Sequence, residues 1–158
     1  MRVKWSIAVL LLGLAACSSS GVEDPGGLLV TRSDGSVVIL EADGTESARL
    51  SESATITRPI QATASPMGQV VWVDQTSPGR VLVWEGGESR ALDVPFDPFY
   101  FSWDPSGQRV ALLGNGASGV TGAILDIADG SLVDLGEATP FFFDWNPTTS
   151  TFTFIGLD

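Results

Sequence analysis

The sequence predicts an all-β fold made of a repeating antiparallel unit. Three observations predict it. Apolar runs are short, rich in β-branched and aromatic residues, and bounded by Gly, Pro, Asp and Asn, while no window carries a long stripe of helical period. Three turn signals, Asp43-Gly44, Gly86-Gly87 and Asp129-Gly130, place their second glycines 43 residues apart in both intervals. Trp103 and Trp145, each followed two residues later by a proline, stand 42 residues apart. Self-similarity at such a period marks a repeat architecture.

Taken in order, the chain opens with MRVKWSIAVLLLGLAAC. Arg2 and Lys4 form a positive start, Trp5 to Leu14 an apolar run, and small residues lead to Cys17, which is the layout of an export signal. The run is short for a membrane span, which takes about 20 residues. Leu14-Ala15-Ala16-Cys17 resembles the lipobox of bacterial lipoproteins. The resemblance implies removal of residues 1–16 by cleavage between Ala16 and Cys17, diacylglycerol on the Cys17 thiol, and a further acyl chain such as palmitate on the new N-terminus. Two or three acyl chains hold a protein to a membrane where one does not. Residues 17–27 then read as the lipidated Cys and a flexible Ser/Gly tether. The expected location is extracytoplasmic, on the cell membrane or the outer membrane.

From Leu28 onward the strands follow one another. Val37 to Leu40, Val81 to Trp84 and Ala123 to Leu125 each run into one of the repeated turns, where Gly44, Gly87 and Gly130 suit a positive φ. A second element has Trp103-Asp104-Pro105-Ser106-Gly107 ahead of an apolar strand at 109–113. Trp145-Asn146-Pro147 stands ahead of Phe152 to Ile155, and Ser65-Pro66-Met67-Gly68 ahead of Val70 to Val73. Four strands in about 42 residues match one blade of a β-propeller. Strands are expected near 61–65, 69–74, 80–84 and 89–94, then near 99–103, 109–114, 122–127 and 132–136. The first unit lacks its first strand, and the last begins at Phe141 and holds two strands, to about Gly156. The expectation for 28–158 is a partial β-propeller, an incomplete ring of about three to three and a half four-stranded antiparallel blades. Complete rings have four to eight blades, so the chain is expected to be a fragment of a longer one.

The W-x-P-x-G turn before an apolar strand resembles TolB-like, WD-type propeller repeats. Trp103, Pro105 and Gly107 give the fullest copy. Trp145 and Pro147 lack the glycine, and the copy at 65–68 lacks the tryptophan. The resemblance covers roughly 28–156 and implies fold, not function, because such blades serve many roles.

Composition narrows the function. The net charge is −11, becoming −13 once Arg2 and Lys4 are removed, and the six remaining arginines are scattered. Phosphate binding needs clustered Lys and Arg, so nucleic acid is excluded as a partner. There is no His, which removes the commonest general base and metal ligand, and Ser118 lies in no G-x-S-x-G elbow. Gly114 to Gly119 matches G-x-G-x-x-G, yet the residues that follow read as a strand rather than the helix a dinucleotide needs, so the segment is expected to be a long loop between strands. Asp126, Asp129 and Asp134 lack the spacing of an EF-hand loop. Phe96, Phe99, Tyr100, Phe101 and Phe141 to Phe143 are expected to fill space between blades, or else to line a ligand surface. No catalytic residue, metal or cofactor is expected. The leading reading is a non-catalytic binding or scaffold lipoprotein, attached to the membrane through the Cys17 lipid and meeting envelope proteins or an extracytoplasmic ligand. The alternative is the N-terminal propeller portion of a prolyl-oligopeptidase-like envelope hydrolase without its catalytic domain.

Overall fold

The computed structural model describes residues 27–56, 61–139 and 141–156. Within them the chain is all-β and runs as a meander of antiparallel strands in four successive sheets. The first sheet holds β1 (Leu28–Thr31), β2 (Val37–Leu40) and β3 (Glu46–Arg49). The second holds β4 (Thr63–Ala64), β5 (Val70–Val73), β6 (Arg80–Glu85) and β7 (Glu88–Asp93). The third holds β8 (Pro98–Trp103), β9 (Arg109–Asn115), β10 (Val120–Asp126) and β11 (Leu132–Ala138), and the last is the hairpin β12 (Phe141–Trp145) and β13 (Phe152–Gly156).

The strands fall close to the spans expected from the sequence, with three differences, the first being that β11 runs on to Ala138, two residues past its expected end. β4 is two residues long rather than five. β10 begins at Val120, two residues early, because the β9–β10 connection is a tight hairpin rather than a long loop. Glu137 closes that hairpin. Its carboxylate accepts the Ala117 and Ser118 N–H groups, each at 2.9 Å, and the Ser118 hydroxyl at 2.6 Å. Gly114 lies inside β9 and a strand follows, so the glycines serve a hairpin here.

Burial explains the patterns. β6 alternates between buried and partly exposed residues, whereas all four residues of β5, Val-Val-Trp-Val, are buried. A continuous apolar run means a strand covered on both faces. Val70 and Trp72 pack with Val37, Ile39 and Leu50 of the first sheet. Val71 and Val73 join Val81, Val83 and Val94 in a cluster with Phe101, Val110, Leu112, Leu125 and Ile127 of the third sheet. The second sheet thus lies between its neighbours in the chain. Of the last strands of the full sheets, β7 is mostly exposed and polar, and β11 exposes Val133, Asp134, Gly136 and Glu137. The hairpin approaches the third sheet at Gly122, where a Cβ would stand 2.7 Å from the Phe141 ring.

Candidate functional site

The turn after the first strand of each unit is built by one side chain. Asp104, fully buried at the end of β8, accepts the Gln108 and Arg109 N–H groups on Oδ1 at 2.9 and 3.0 Å and the Ser106 hydroxyl on Oδ2 at 2.6 Å. At the equivalent place the Ser65 hydroxyl oxygen accepts the Met67 and Gln69 N–H groups at 3.1 Å. Asn146 Oδ1 accepts those of Thr148 and Thr149 at 2.9 and 3.0 Å. Asp, Asn and Ser reach their own backbone in this way because their oxygens sit one or two bonds from Cβ. Pro105 and Pro147 follow the capping residues and preset φ.

Gly107 completes the turn with φ 72°, and a Cβ on it would stand 2.8 Å from Met67 Cγ, so the third sheet's turn rests on the second's. In the third copy, where a glycine is lacking, the turn takes one more residue: Ser150 donates its N–H to the Asn146 carbonyl at 3.0 Å and carries φ 51°. The hairpin glycines Gly44, Gly87 and Gly130 have φ of 86°, 94° and 74°. Gly86 is also positive at 60°, as a two-residue turn with left-handed residues at both centres requires.

The tryptophans tie sheet to sheet. Trp103 Nε1 donates to the Thr63 carbonyl at 3.1 Å, and Trp145 Nε1 donates to the Ser102 carbonyl at 3.2 Å. Each indole, at the end of a first strand, reaches back to the first strand of the preceding sheet. Arg109 is the residue the sequence reading passed over. Its Nη2 donates to the Ser150 carbonyl at 2.8 Å and lies 3.5 Å from Asp104 Oδ2, while its Cζ stands 5.3 Å from the Trp145 ring centre. Arg90 makes a similar tie from β7 to the Ile127 carbonyl. Burial alone would raise the Asp104 pKa; the Ser106 hydroxyl, the Arg109 and Gln108 N–H groups and the Arg109 charge outweigh it and hold the carboxyl below its usual range.

Grooves open between successive sheets. One of about 640 Å³ lies between the second and third, with Gln69, Glu85, Gln108 and Asp126 on its walls. One of about 290 Å³ lies between the first and second, beside Ser53, Trp72 and Asp74. A third, of about 380 Å³, lies between the third sheet and the hairpin and is lined by Phe99, Tyr100, Leu113, Phe141, Phe142 and Phe143 among others. Asp126, Asp129 and Asp134 each accept the N–H two residues on, at 2.8 to 2.9 Å; the first two shape the β10–β11 turn and the third a bulge within β11. Among the described residues no three His, Cys, Asp or Glu side chains are grouped to hold a metal ion.

Ala16, Cys17 and the whole of 1–16 lie outside the described residues, as does all of the tether but Gly27. Among the described residues no helix is long and apolar enough to cross a membrane. In comparisons with known proteins, no family model, curated protein or solved structure matches the chain.

Proposed function

We propose that this chain is an extracytoplasmic lipoprotein, anchored through acyl chains on Cys17, whose folded part is a series of TolB-like propeller blades acting as a non-catalytic binding or scaffold surface. The observation that carries the fold is the repeated inter-sheet bond. Trp103 to Thr63 and Trp145 to Ser102 span 40 and 43 residues, about one repeat each. Together with a β5 covered on both faces, this supports sheets stacked in chain order, as blades are. Faces and grooves between such sheets are where a partner docks, and the chain carries no His to act as a general base.

The anchor is tested by mass spectrometry of the protein extracted from membranes of an expressing bacterium. The expected product begins at Cys17 and carries acyl chains, and Cys17→Ala leaves an uncleaved or released protein. An unacylated product beginning elsewhere overturns the anchor. Esterase, peptidase and glycosidase screens are expected to read blank. A turnover abolished by a single substitution would overturn the non-catalytic reading.

A further inference from the structure

The chain has two asparagines, Asn115 and Asn146, and asparagine is a chemically labile residue. It is lost when the backbone nitrogen of the next residue attacks its side-chain carbonyl carbon. Asn146 is protected: Pro147 follows it with no N–H, and its Oδ1 is held by the Thr148 and Thr149 N–H groups. Asn115, the last residue of β9, is exposed and followed by Gly116. Among the described residues no hydrogen bond holds its side chain. Glycine puts no Cβ in the path of attack and lets the backbone turn to make it. Asp34, Asp43 and Asp129 also precede glycines, but attack on an aspartate needs its carboxyl protonated. Each of the three accepts the N–H two residues on, and its pKa is lowered, chiefly by the Ser36 N–H, the Thr45 hydroxyl and the Ser131 N–H respectively.

We infer that Asn115 is a modification site of the folded protein, where it deamidates through a succinimide to aspartate and isoaspartate. The Gly116 nitrogen bonds to Asn115 Cγ, its proton passes through solvent to the side-chain amide, and that amide leaves as ammonia. Water then opens the ring. Breaking the bond from nitrogen to Cγ gives aspartate; breaking the bond from nitrogen to the main-chain carbonyl carbon gives isoaspartate, whose main chain is longer by a methylene. The fold sets both rate and consequence. The Gly116 N–H is donated to the Gly119 carbonyl at 2.8 Å, so the hairpin opens at that bond before the nitrogen attacks. Gly116 lies against Glu137, where a Cβ would overlap the carboxylate. The product places a new carboxylate and, as isoaspartate, extra main chain next to that contact. It therefore loosens the hold of Glu137 on the Ala117 and Ser118 N–H groups. The inference depends on neither the anchor nor the binding reading.

The test is peptide mapping by mass spectrometry of the purified full chain, aged in non-ionic detergent at mildly alkaline pH, folded and in urea. Acid is expected to accumulate at Asn115 in both, several-fold more slowly in the folded protein, while Asn146 stays intact in the folded protein. Asn115→Gln, at an exposed position, is expected to keep the thermal melt and abolish the conversion. Amide hydrogen exchange at Ala117 and Ser118 is expected to quicken several-fold in the aged protein, and to change less in fresh Asn115→Asp, which adds the charge without the methylene. An Asn115 that survives in the folded protein while the urea-unfolded chain converts, or acid appearing first at Asn146, would overturn the modification site. Unchanged exchange in the aged protein would overturn its effect on the hairpin.

Discussion

Ser150 carries a φ of 51°, a left-handed conformation that costs an L-residue roughly 1–2 kcal/mol. It stands where the other copies of the turn use glycine at 68 and 107, both with positive φ. Ser150→Gly is therefore expected to raise stability by about 1 kcal/mol, read as a higher urea midpoint at unchanged slope. Asp104→Ala should act the other way, by about 2–4 kcal/mol. It strips partners from two N–H groups and the Ser106 hydroxyl and leaves Arg109 without its carboxylate. Acidic side chains that accept several N–H and O–H groups also set the pH dependence. Asp34 accepts the Ser36 N–H at 3.0 Å, and the Ser36 and Ser53 hydroxyls at 2.7 Å. The Ser36 N–H first, then the two hydroxyls, bring its pKa from the ordinary 3.8 to about 2. Glu137 is lowered by the Ser118 hydroxyl and the Ser118 and Ala117 N–H groups. A depressed carboxyl contributes stability above its unfolded pKa and loses it as pH falls through the folded one. With no His in the chain, denaturation midpoints should be flat from about pH 5 to 8 and fall between about pH 4 and 2. Asp34→Asn should make that fall shallower, as urea melts across the range would show.

At the scale of elements, most of the strands were legible because their signals are local. A β-branched or aromatic run between turn residues specifies a strand wherever it sits, and the 43-residue spacing of Gly44, Gly87 and Gly130 marked the same turn in three sheets. The β9–β10 hairpin carries too little local signal to be told from a long loop, because the residue that closes it, Glu137, lies on β11, about 20 residues downstream. The tryptophans invite a test of their own. Trp103→Phe keeps a ring in place and removes only the Nε1–H bond to the Thr63 carbonyl, so it should cost about 1 kcal/mol. Trp103→Ala empties the space as well and should cost roughly 3–5 kcal/mol. Near-equal losses in thermal or urea melts would mean that the indole N–H, and not the ring, joins the sheets.

For the whole molecule, the exposed part of the hairpin is the weak point. Among the described residues β13 pairs only with β12, and it reads Phe-Thr-Phe-Ile-Gly, with neither charge nor proline to discourage pairing. Phe142 is 62% exposed, Ile155 60% and Phe154 43%, and each such side chain gains about 1.5–3 kcal/mol when buried. The 158-residue chain is therefore expected to self-associate through this edge, more so as salt screens its charge of −11. Sedimentation velocity should show the association, and Ile155→Lys should reduce it while leaving the thermal melt of the remaining sheets in place. A monomer that melts cooperatively with or without the substitution would show that the edge is not a contact surface.

Short-range patterning and composition are enough to set the all-β class, most strand and turn positions, and the lack of clustered cations for nucleic acid. Which residues meet is set by how the sheets pack. Nothing in the local sequence tells that Arg109 reaches the Ser150 carbonyl, that Trp145 reaches Ser102, or that rings from β8 and β12 share one groove. Those partners lie about 40 residues apart. They come together only because each sheet packs on the one before it, which brings corresponding strands of successive sheets within bonding distance.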